Sequence, residues 1–318
     1  PRKRKIAAMD SGFLAHVVAS FGITAPILAV LLLGAWFRRR NWIDGHFVEA
    51  GNRLMYNACM PALLFLATAG QPVTPDEDLP LAAFGVDATV VVVLLLWLLA
   101  PLQDGREKRG VFVHSAYRSN MGMIGIALCL NAYGEDVLAR AGVFVAAMIA
   151  TYNVLAVLVL TEQRDQVLRN LARNPLLLGV LAGIAWQRLG PPLPEIAADS
   201  LGYLARMALP LALLCIGASL RWRSLRLDHP DVVWAAAFKL VIVPAAVTTA
   251  AVLAGFRGED LGILFLMVAA PTAMVAFVMA RALTPHGESA AETVALTTLA
   301  MPVTITLGLA LLSATALI

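Results

Sequence analysis

The chain has 318 residues, of which 60% are hydrophobic and 14% charged, and its mean hydropathy is +0.78. Soluble domains average about 45–50% apolar and about 25% charged residues, so this composition excludes an ordinary soluble protein, a disordered chain and a nucleic-acid-binding domain. The 24 Lys and Arg against 21 Asp and Glu give a net charge of +3. In so apolar a chain, this positive charge indicates contact with the anionic surface of a membrane. The three cysteines lie in separate apolar runs and predict no disulfide framework.

Ten apolar segments in chain order are long enough to cross a membrane, which takes about 20 residues for about 30 Å of hydrocarbon. The polar links between them are too short to hold a soluble domain, and the runs are too long for the strands of a barrel. Backbone groups must then be satisfied within helices, so the predicted fold is an all-α integral membrane protein. We number the segments as spans 1 to 10, covering residues 12–37, 51–70, 79–101, 111–132, 139–160, 174–190, 199–220, 231–254, 259–282 and 290–316.

Lys and Arg are concentrated in the links that follow the odd-numbered spans. These links and the adjoining span ends carry 14 such residues, whereas the links on the other side carry 3, Arg140, Arg188 and Arg257. Positive links face the cytoplasm, so both termini are predicted to be extracytoplasmic. The basic segment 1–5 contradicts this orientation, and we prefer the pattern of the five links. The abundance of Arg and Ala favours a bacterial source and hence the plasma (bacterial inner) membrane.

Two short motifs recur in the two halves of the chain at nearly equal spacing. Residues 60–64 (MPALL) in span 2 resemble residues 209–213 (LPLAL) in span 7, an offset of 149. Residues 133–136 (YGED) resemble residues 286–289 (HGES), an offset of 153. Ten spans in two sets of five place the second half inverted in the membrane, which predicts the inverted repeat of a transporter. Chance similarity between Ala- and Leu-rich helices is the alternative.

Ionisable residues inside a span are costly and mark functional sites by default. Asp87 is the acidic residue nearest the middle of a span, span 3, and Lys239 lies in span 8 at an offset of 152. The two residues therefore occupy corresponding positions, and we expect an ion pair between them. The pair is either a proton-linked switch or a static structural contact, and both readings stay open. Arg206 in span 7 is a further base inside the membrane.

Spans 4 and 9 each carry a signal for interruption. Pro271 lies in the middle of span 9, immediately before Thr272, and removes a backbone donor. The repeat offset places it opposite Arg118, at the start of a polar and glycine-containing stretch of span 4. If both helices break and cross, their half-helix N-termini and Arg118 predict an anion site at mid-depth. A tolerated kink at Pro271 and an interfacial Arg118 are the alternatives. The polar residues that follow Arg118 are Ser119 and Asn120.

Further polar residues lie at the depth of this predicted crossing. Each of them taken alone more often forms a hydrogen bond between helices than a ligand contact. They belong to spans 2, 5 and 10 and are Asn57, Tyr152, Asn153, Thr297 and Thr298.

Five segments resemble the auxin efflux carrier family of secondary transporters, which includes bacterial malonate and other carboxylate carriers and the plant PIN carriers. They occur in the order expected for the family, and the stretch around Pro271 reads FLMVAAPTAMVAFVMARAL. Span 4 lacks the second proline of the plant members, and the link 161–173 is far shorter than their cytoplasmic loop. The segments are residues 51–70, 116–136, 174–184, 209–220 and 265–283.

This resemblance implies a ten-helix fold similar to bile-acid symporters and sodium/proton antiporters, with crossed, broken spans 4 and 9. It implies a scaffold of residues 1–70 and 174–220, often a dimer interface, and a moving transport domain of residues 79–160 and 231–316. It also implies a carboxylate site at Asn57, Asn120, Asn153 and the break at Pro271. The polar support site of the family falls on Asp87, Tyr152 and Lys239.

The leading hypothesis is a carrier that moves an organic anion by an elevator-like shift of the transport domain. The predicted partners are this small anion, membrane lipid and a second copy of the chain. A sodium-coupled symporter of the same fold and a transporter-like ligand sensor are the alternatives; residues 116–125 and 268–276 contain no acidic sodium ligand. An enzyme is not predicted, because Asp87 has no partner carboxylate inside the membrane and no GxSxG motif occurs. The five histidines lack metal-ligand spacing, and no metal, cofactor or nucleic acid is expected.

Overall fold

The computed structural model describes residues 12–70, 75–100, 105–160, 172–190, 192–220 and 229–318. Every regular element in these ranges is helical, as the sequence predicted. The α-helices are α1 (Phe13–Arg39), α2 (Gly45–Leu54), α3 (Met60–Gly70), α4 (Pro75–Leu99), α5 (Arg106–Tyr117), α6 (Ile126–Tyr133), α7 (Leu138–Leu160), α8 (Pro175–Leu189), α9 (Glu195–Ser219), α10 (Pro230–Ala237), α11 (Val243–Leu253), α12 (Gly258–Ala269), α13 (Met274–Leu283) and α14 (Gly287–Ala314).

Each predicted span coincides with one helix or with a group of consecutive helical segments. Six continuous helical stretches are long and apolar enough to cross a membrane, corresponding to spans 1, 3, 5, 7, 8 and 10. The other spans are built from shorter helices, and the chain is a multi-pass membrane protein. The inverted relation between the two sets of five spans and the orientation of the termini stay predictions. The basic segment 1–5 and most of the basic links after spans 5 and 7 lie outside the described residues.

Three π-helical turns widen the helices near the middle of the molecule. A π turn holds one residue more than an α turn and often lies at a functional site. The first joins α2 to α3, the second precedes α6, and the third joins α10 to α11. Their bounds are Met55–Cys59, Met121–Gly125 and Phe238–Ile242.

Glycines allow the helices of spans 1, 2, 6 and 7 to approach closely. A methyl group on Gly34 would overlap the carbonyl of Leu214, and one on Gly217 would overlap that of Leu31, so α1 and α9 touch backbone to backbone. On α8, a Cβ on Gly179 would lie 2.7 Å from the carbonyl oxygen of Pro61. These are the spans predicted as the scaffold, and the division into two domains itself stays a prediction.

Side chains cap two of the helices that lead towards the middle of the molecule. The Asp44 carboxylate accepts the backbone N–H of Phe47 at 2.7 Å, and this hydrogen bond holds the pKa of Asp44 below its usual value. Asn174 caps α8 by accepting the N–H groups of Leu176 and Leu177. Asparagine before a proline at the first helical position is a common helix start, and it fixes where α8 begins.

Candidate functional site

Spans 4 and 9 are both interrupted, as the sequence predicted. In span 4, α5 ends at Tyr117 and the helix resumes with the π turn at Met121. In span 9, α12 ends at Ala269 and α13 begins at Met274. Pro26, Pro210 and Pro302 lie inside helices that continue through them, so a proline by itself does not break a helix in this chain.

The two interruptions cross and hydrogen-bond to each other like a pair of antiparallel strands. The Asn120 N–H donates to the carbonyl of Pro271 at 2.7 Å, and the Ala273 N–H donates to that of Arg118 at 3.0 Å. Between them, Ser119 faces Thr272 in an isolated bridge. Each interruption therefore satisfies backbone groups that the other has freed, as a lipid-surrounded chain requires.

Neighbouring helices fix the crossing from its sides. The Thr272 N–H donates to the Thr297 hydroxyl of α14 at 3.1 Å, and the Thr272 hydroxyl donates to the carbonyl of Ser115 at 2.8 Å. The Thr298 hydroxyl instead bonds its own helix, at the carbonyl of Val294. Of the two predicted threonines of span 10, Thr297 therefore supports the crossing, while the Thr298 hydroxyl bonds only within α14.

Lys239 reaches the crossing from the third π turn. Its side chain is fully buried, and its ammonium donates to the hydroxyl of Ser119 and, at 2.6 Å, to the carbonyl of Val268. The Ser119 hydroxyl also donates to Val268, at 3.0 Å. Val268 is one residue from the end of α12, where the helix dipole is negative, so the ammonium is placed where a cation is favoured.

The expected ion pair between Asp87 and Lys239 is not formed. Asp87 is exposed on α4, and no salt bridge joins it to Lys239 within the described residues. The repeat offset places two residues at a similar depth, but it does not fix the direction of either side chain. Lys239 points inward to the crossing, whereas Asp87 points out of the helix packing.

A cavity opens beside the crossing, and we call it the crossing cavity. It contains about 710 Å³ of empty space, part of it continuous with the outside. Residues from the first two π turns, the interruption of span 4, α7 and the starts of α8 and α13 line it. Its polar lining residues are Tyr56, Arg118, Ser119, Asn120, Tyr152, Asn153 and Asn174.

Arg118 provides the positive charge of this cavity. It is 8% exposed, donates to the carbonyl of Tyr152 at 3.2 Å, and lies 5.7 Å from the centre of the Tyr152 ring. No carboxylate pairs with it in the part of the chain that the structure describes. The first turns after Asn120 and Ala273 line the same cavity, and N–H groups in a first turn lack intrahelical partners. Charge and dipoles together favour an anion.

Two amide side chains in the cavity keep free hydrogen-bonding groups. The side chains of Asn120 and Asn153 line the cavity and make no hydrogen bond to any described residue. The amide of Asn174 is occupied: besides capping α8, it donates to the Tyr56 hydroxyl at 3.0 Å. Asn120 and Asn153 are therefore available to a ligand, and Asn174 orients Tyr56.

Asn57, predicted to bind the ligand, lies outside this cavity. Its side chain is exposed and donates to the carbonyl of Arg53, one turn earlier in its own helix, at 2.8 Å. Tyr56 takes the inward position instead, together with Met55 and Met60. The i to i+5 spacing of the two methionines is that of a π turn, which the sequence pattern did not reveal. Sequence reasoning thus missed Tyr56, and it missed Asn174 as well, whose position before Pro175 was a readable signal.

Pro271 and Thr272 shape the site without lining the cavity. Their backbone and hydroxyl groups are used within the crossing, as described above. Tyr152 combines both roles, since it lines the cavity while its hydroxyl donates to the carbonyl of Tyr117 at 3.4 Å. The structure thus brings together eight of the ten predicted site residues at the crossing cavity or on the bonds behind it, all but Asn57 and Asp87.

Interrupted apolar helices that cross beside an electropositive cavity define a membrane transporter. Residues 156–309 match the model of a family described as membrane transport protein. The match covers just under half of the chain, which is similar to this family of transporters there, and the predicted resemblance to auxin efflux carriers is confirmed by the relatives below. The family and these relatives are transporters and not enzymes.

Three relatives show how far the similarity extends. An "Uncharacterized transporter" of Methanothermobacter thermautotrophicus is 25% identical over 268 residues, 81% of this chain and 88% of its own. A "Putative malonate transporter" of Rhizobium meliloti is 27% identical over 304 residues, 90% of this chain and 93% of its own. A "Probable auxin efflux carrier component 1b" of Oryza sativa subsp. japonica is 30% identical over 124 residues, 37% of this chain and 22% of its own.

Proposed function

We propose that the chain is a secondary carrier of an organic anion, a carboxylate, that binds in the crossing cavity. The observation that carries this proposal is Arg118, a buried guanidinium without a carboxylate partner among the described residues, at the wall of the cavity. A buried charge is costly until a group of opposite charge pairs with it. A bound carboxylate supplies that group, and Asn120 and Asn153 offer it further donors.

The rest of the cavity wall favours an anion with an organic body over an inorganic one. Five thioether side chains line it, and methionine packs adaptably against apolar groups of varied shape. A ligand that has both a carboxylate and carbon atoms matches this division into a polar and an apolar wall. The five residues are Met55, Met60, Met121, Met123 and Met148.

The names of two relatives point to the same class of substrate. One is described as a malonate transporter and one as an auxin efflux carrier component, and the compounds in these two names are organic acids. The relative with the malonate name matches 90% of this chain. We carry over the carboxylate class and not the particular acid.

We infer an elevator-like mechanism in which spans 3–5 and 8–10 shift past a scaffold of spans 1, 2, 6 and 7. The proposal includes a homodimer through the scaffold, a bacterial plasma membrane and extracytoplasmic termini. Sodium coupling is disfavoured, because the oxygens of Ser119 and Val268 at the crossing already hold the Lys239 ammonium. A ligand sensor would share the cavity but would lack turnover.

Uptake of labelled carboxylates into proteoliposomes tests the proposal. We expect saturable flux that does not require sodium, and Asn153→Ala to raise the half-saturation concentration about 10-fold, the effect of losing one hydrogen bond to a charged ligand. Asn57→Ala is the matched control, because its exposed amide lies outside the cavity, and it should change this value less than about twofold. Folded wild-type protein that transports none of a panel of mono- and dicarboxylates would contradict the proposal.

A further inference from the structure

A second cavity lies at the opposite end of the same helices. It holds about 1700 Å³ of empty space, part of it continuous with the outside, between α1, α3, α6, α9 and the start of α7. Along α3, Met60 lines the crossing cavity, and Leu63, Leu66, Ala67 and Gly70 line the second cavity. Along span 4, residues 118–123 line the former, and Ala127 and Asn131 line the latter.

Packed residues separate the two cavities. Leu64 and Ile126 are fully buried between them, and Gly142 of α7 approaches Leu64 and Thr68 of α3. The Thr68 hydroxyl also lies 3.3 Å from the carbonyl of Val180, which closes the gap to α8. The two cavities are therefore separate in this structure and have no lining residue in common.

Arg206 is the charged residue that sets the character of the second cavity. It lies close to the midpoint of α9, a helix long and apolar enough to cross the membrane, and its side chain is exposed at the cavity wall. Within the described ranges it forms no ion pair. Glu135 also lines this cavity, from the link between spans 4 and 5, and forms no ion pair with Arg206. A cation at mid-span that faces a cavity marks a substrate pathway.

We propose that Arg206 binds the transported anion in the second cavity, on its way between the crossing and the other side of the membrane. This inference rests on the proposed function. The depth of Arg206 favours the transported anion over a lipid headgroup, because headgroup phosphates lie outside the hydrocarbon, about 15 Å from its centre. The site thus takes a carboxylate, held by one guanidinium against a largely apolar wall.

The test is a comparison of the two faces of the carrier. Half-saturation concentrations for one labelled carboxylate are measured separately for entry from the face of the crossing cavity and from the face of the second cavity, in proteoliposomes of known orientation. We expect Arg206→Gln to raise the value about 10-fold at the second face and less than about twofold at the first. Arg206→Lys should recover part of the affinity. Arg188→Gln, an exposed arginine outside both cavities, is the matched control.

Each other outcome has a distinct meaning. Unchanged values at both faces in a transporting Arg206→Gln variant overturn this inference and leave the proposed function intact. Equal changes at both faces overturn it as well, because they indicate a general electrostatic or structural effect, which thermal unfolding of the variant checks. Loss of a co-purifying anionic lipid from Arg206→Gln with unchanged kinetics would assign Arg206 to lipid. A wild type without flux removes the proposed function and this inference together.

Discussion

Lys239 is held inside the protein by hydroxyl and carbonyl oxygens, and no carboxylate of the described residues pairs with it. Its ammonium donates to the Ser119 hydroxyl and to the carbonyl of Val268, both of which belong to the crossing. Ser119 in turn donates to Val268, so the three groups form a closed set of hydrogen bonds. Hydrogen bonds to a charged group are stronger than neutral ones, and losing a partner of a buried charge is costly.

Replacing Ser119 with Ala should destabilise the protein by about 1–3 kcal/mol, because Lys239 then keeps a single oxygen partner. Urea unfolding in detergent, followed by the loss of helical circular dichroism, measures the change. Ser200→Ala is the control: its hydroxyl is exposed and bonds only the carbonyl of Ile196 in its own helix, so we expect a change below about 0.5 kcal/mol. Equal stability of the two variants would show that Ser119 does not anchor Lys239.

At the scale of elements, the contact between α1 and α9 depends on residues without side chains. Gly34 and Gly217 let each helix touch the backbone of the other, at Leu214 and Leu31. Small residues at such contacts allow close packing where lipid provides no hydrophobic drive between helices. The tightness of this contact supports the view that spans 1 and 7 belong to one rigid part.

Adding one methyl group to this contact should force the helices apart. We expect Gly217→Ala to lower stability by about 1–3 kcal/mol, the usual cost of overpacking, since the methyl would overlap the carbonyl of Leu31. Gly202→Ala on the same helix meets no atom within 4 Å and should be neutral or slightly stabilising. Thermal unfolding of both variants in the same detergent measures the difference, and a Gly217→Ala variant as stable as Gly202→Ala would contradict the packing argument.

For the whole molecule, the proposed shift requires α3 and α7 to slide past each other. The barrier between the two cavities lies at this contact, where a Cβ on Gly142 would be 3.6 Å from the Thr68 methyl group. At the start of α7, Arg140 bonds Asp78 of α4 at 2.9 Å and Asp260 of α12 at 2.6 Å. These ion pairs join spans 3, 5 and 9, which are predicted to move together.

A disulfide across the barrier should stop transport. In a background in which the buried Cys59, Cys129 and Cys215 are replaced by Ala, we expect oxidised Thr68→Cys/Gly142→Cys protein to lose more than about 90% of its flux and to recover it on reduction. Each single cysteine variant is the control and should not respond to oxidant. Full flux through the cross-linked protein, with cross-linking verified by mass spectrometry, would exclude movement between α3 and α7.

The positions of the helices and of the crossing could be read from the sequence, whereas the directions of several side chains could not. Apolar runs determine the spans, and Pro271 with the polar stretch after Arg118 marked both interruptions. The π turn at Met55–Cys59 left no such pattern, and it puts Tyr56 where Asn57 was expected. Likewise, equal depth did not make Asp87 and Lys239 partners, because direction depends on packing with distant helices.

Because of the two buried cations, the proposed cycle should depend on the membrane voltage. Arg118 and Lys239 both belong to the part that is proposed to move, and neither has a carboxylate partner among the described residues. Each charge carried through 100 mV involves about 2.3 kcal/mol. A negative cell interior therefore favours the inward-facing position of the empty carrier. A bound carboxylate lowers the net positive charge of the moving part by one and weakens this preference. In an energised cell, most unloaded carriers should therefore have their binding site open to the cytoplasm, where they can bind an anion for export.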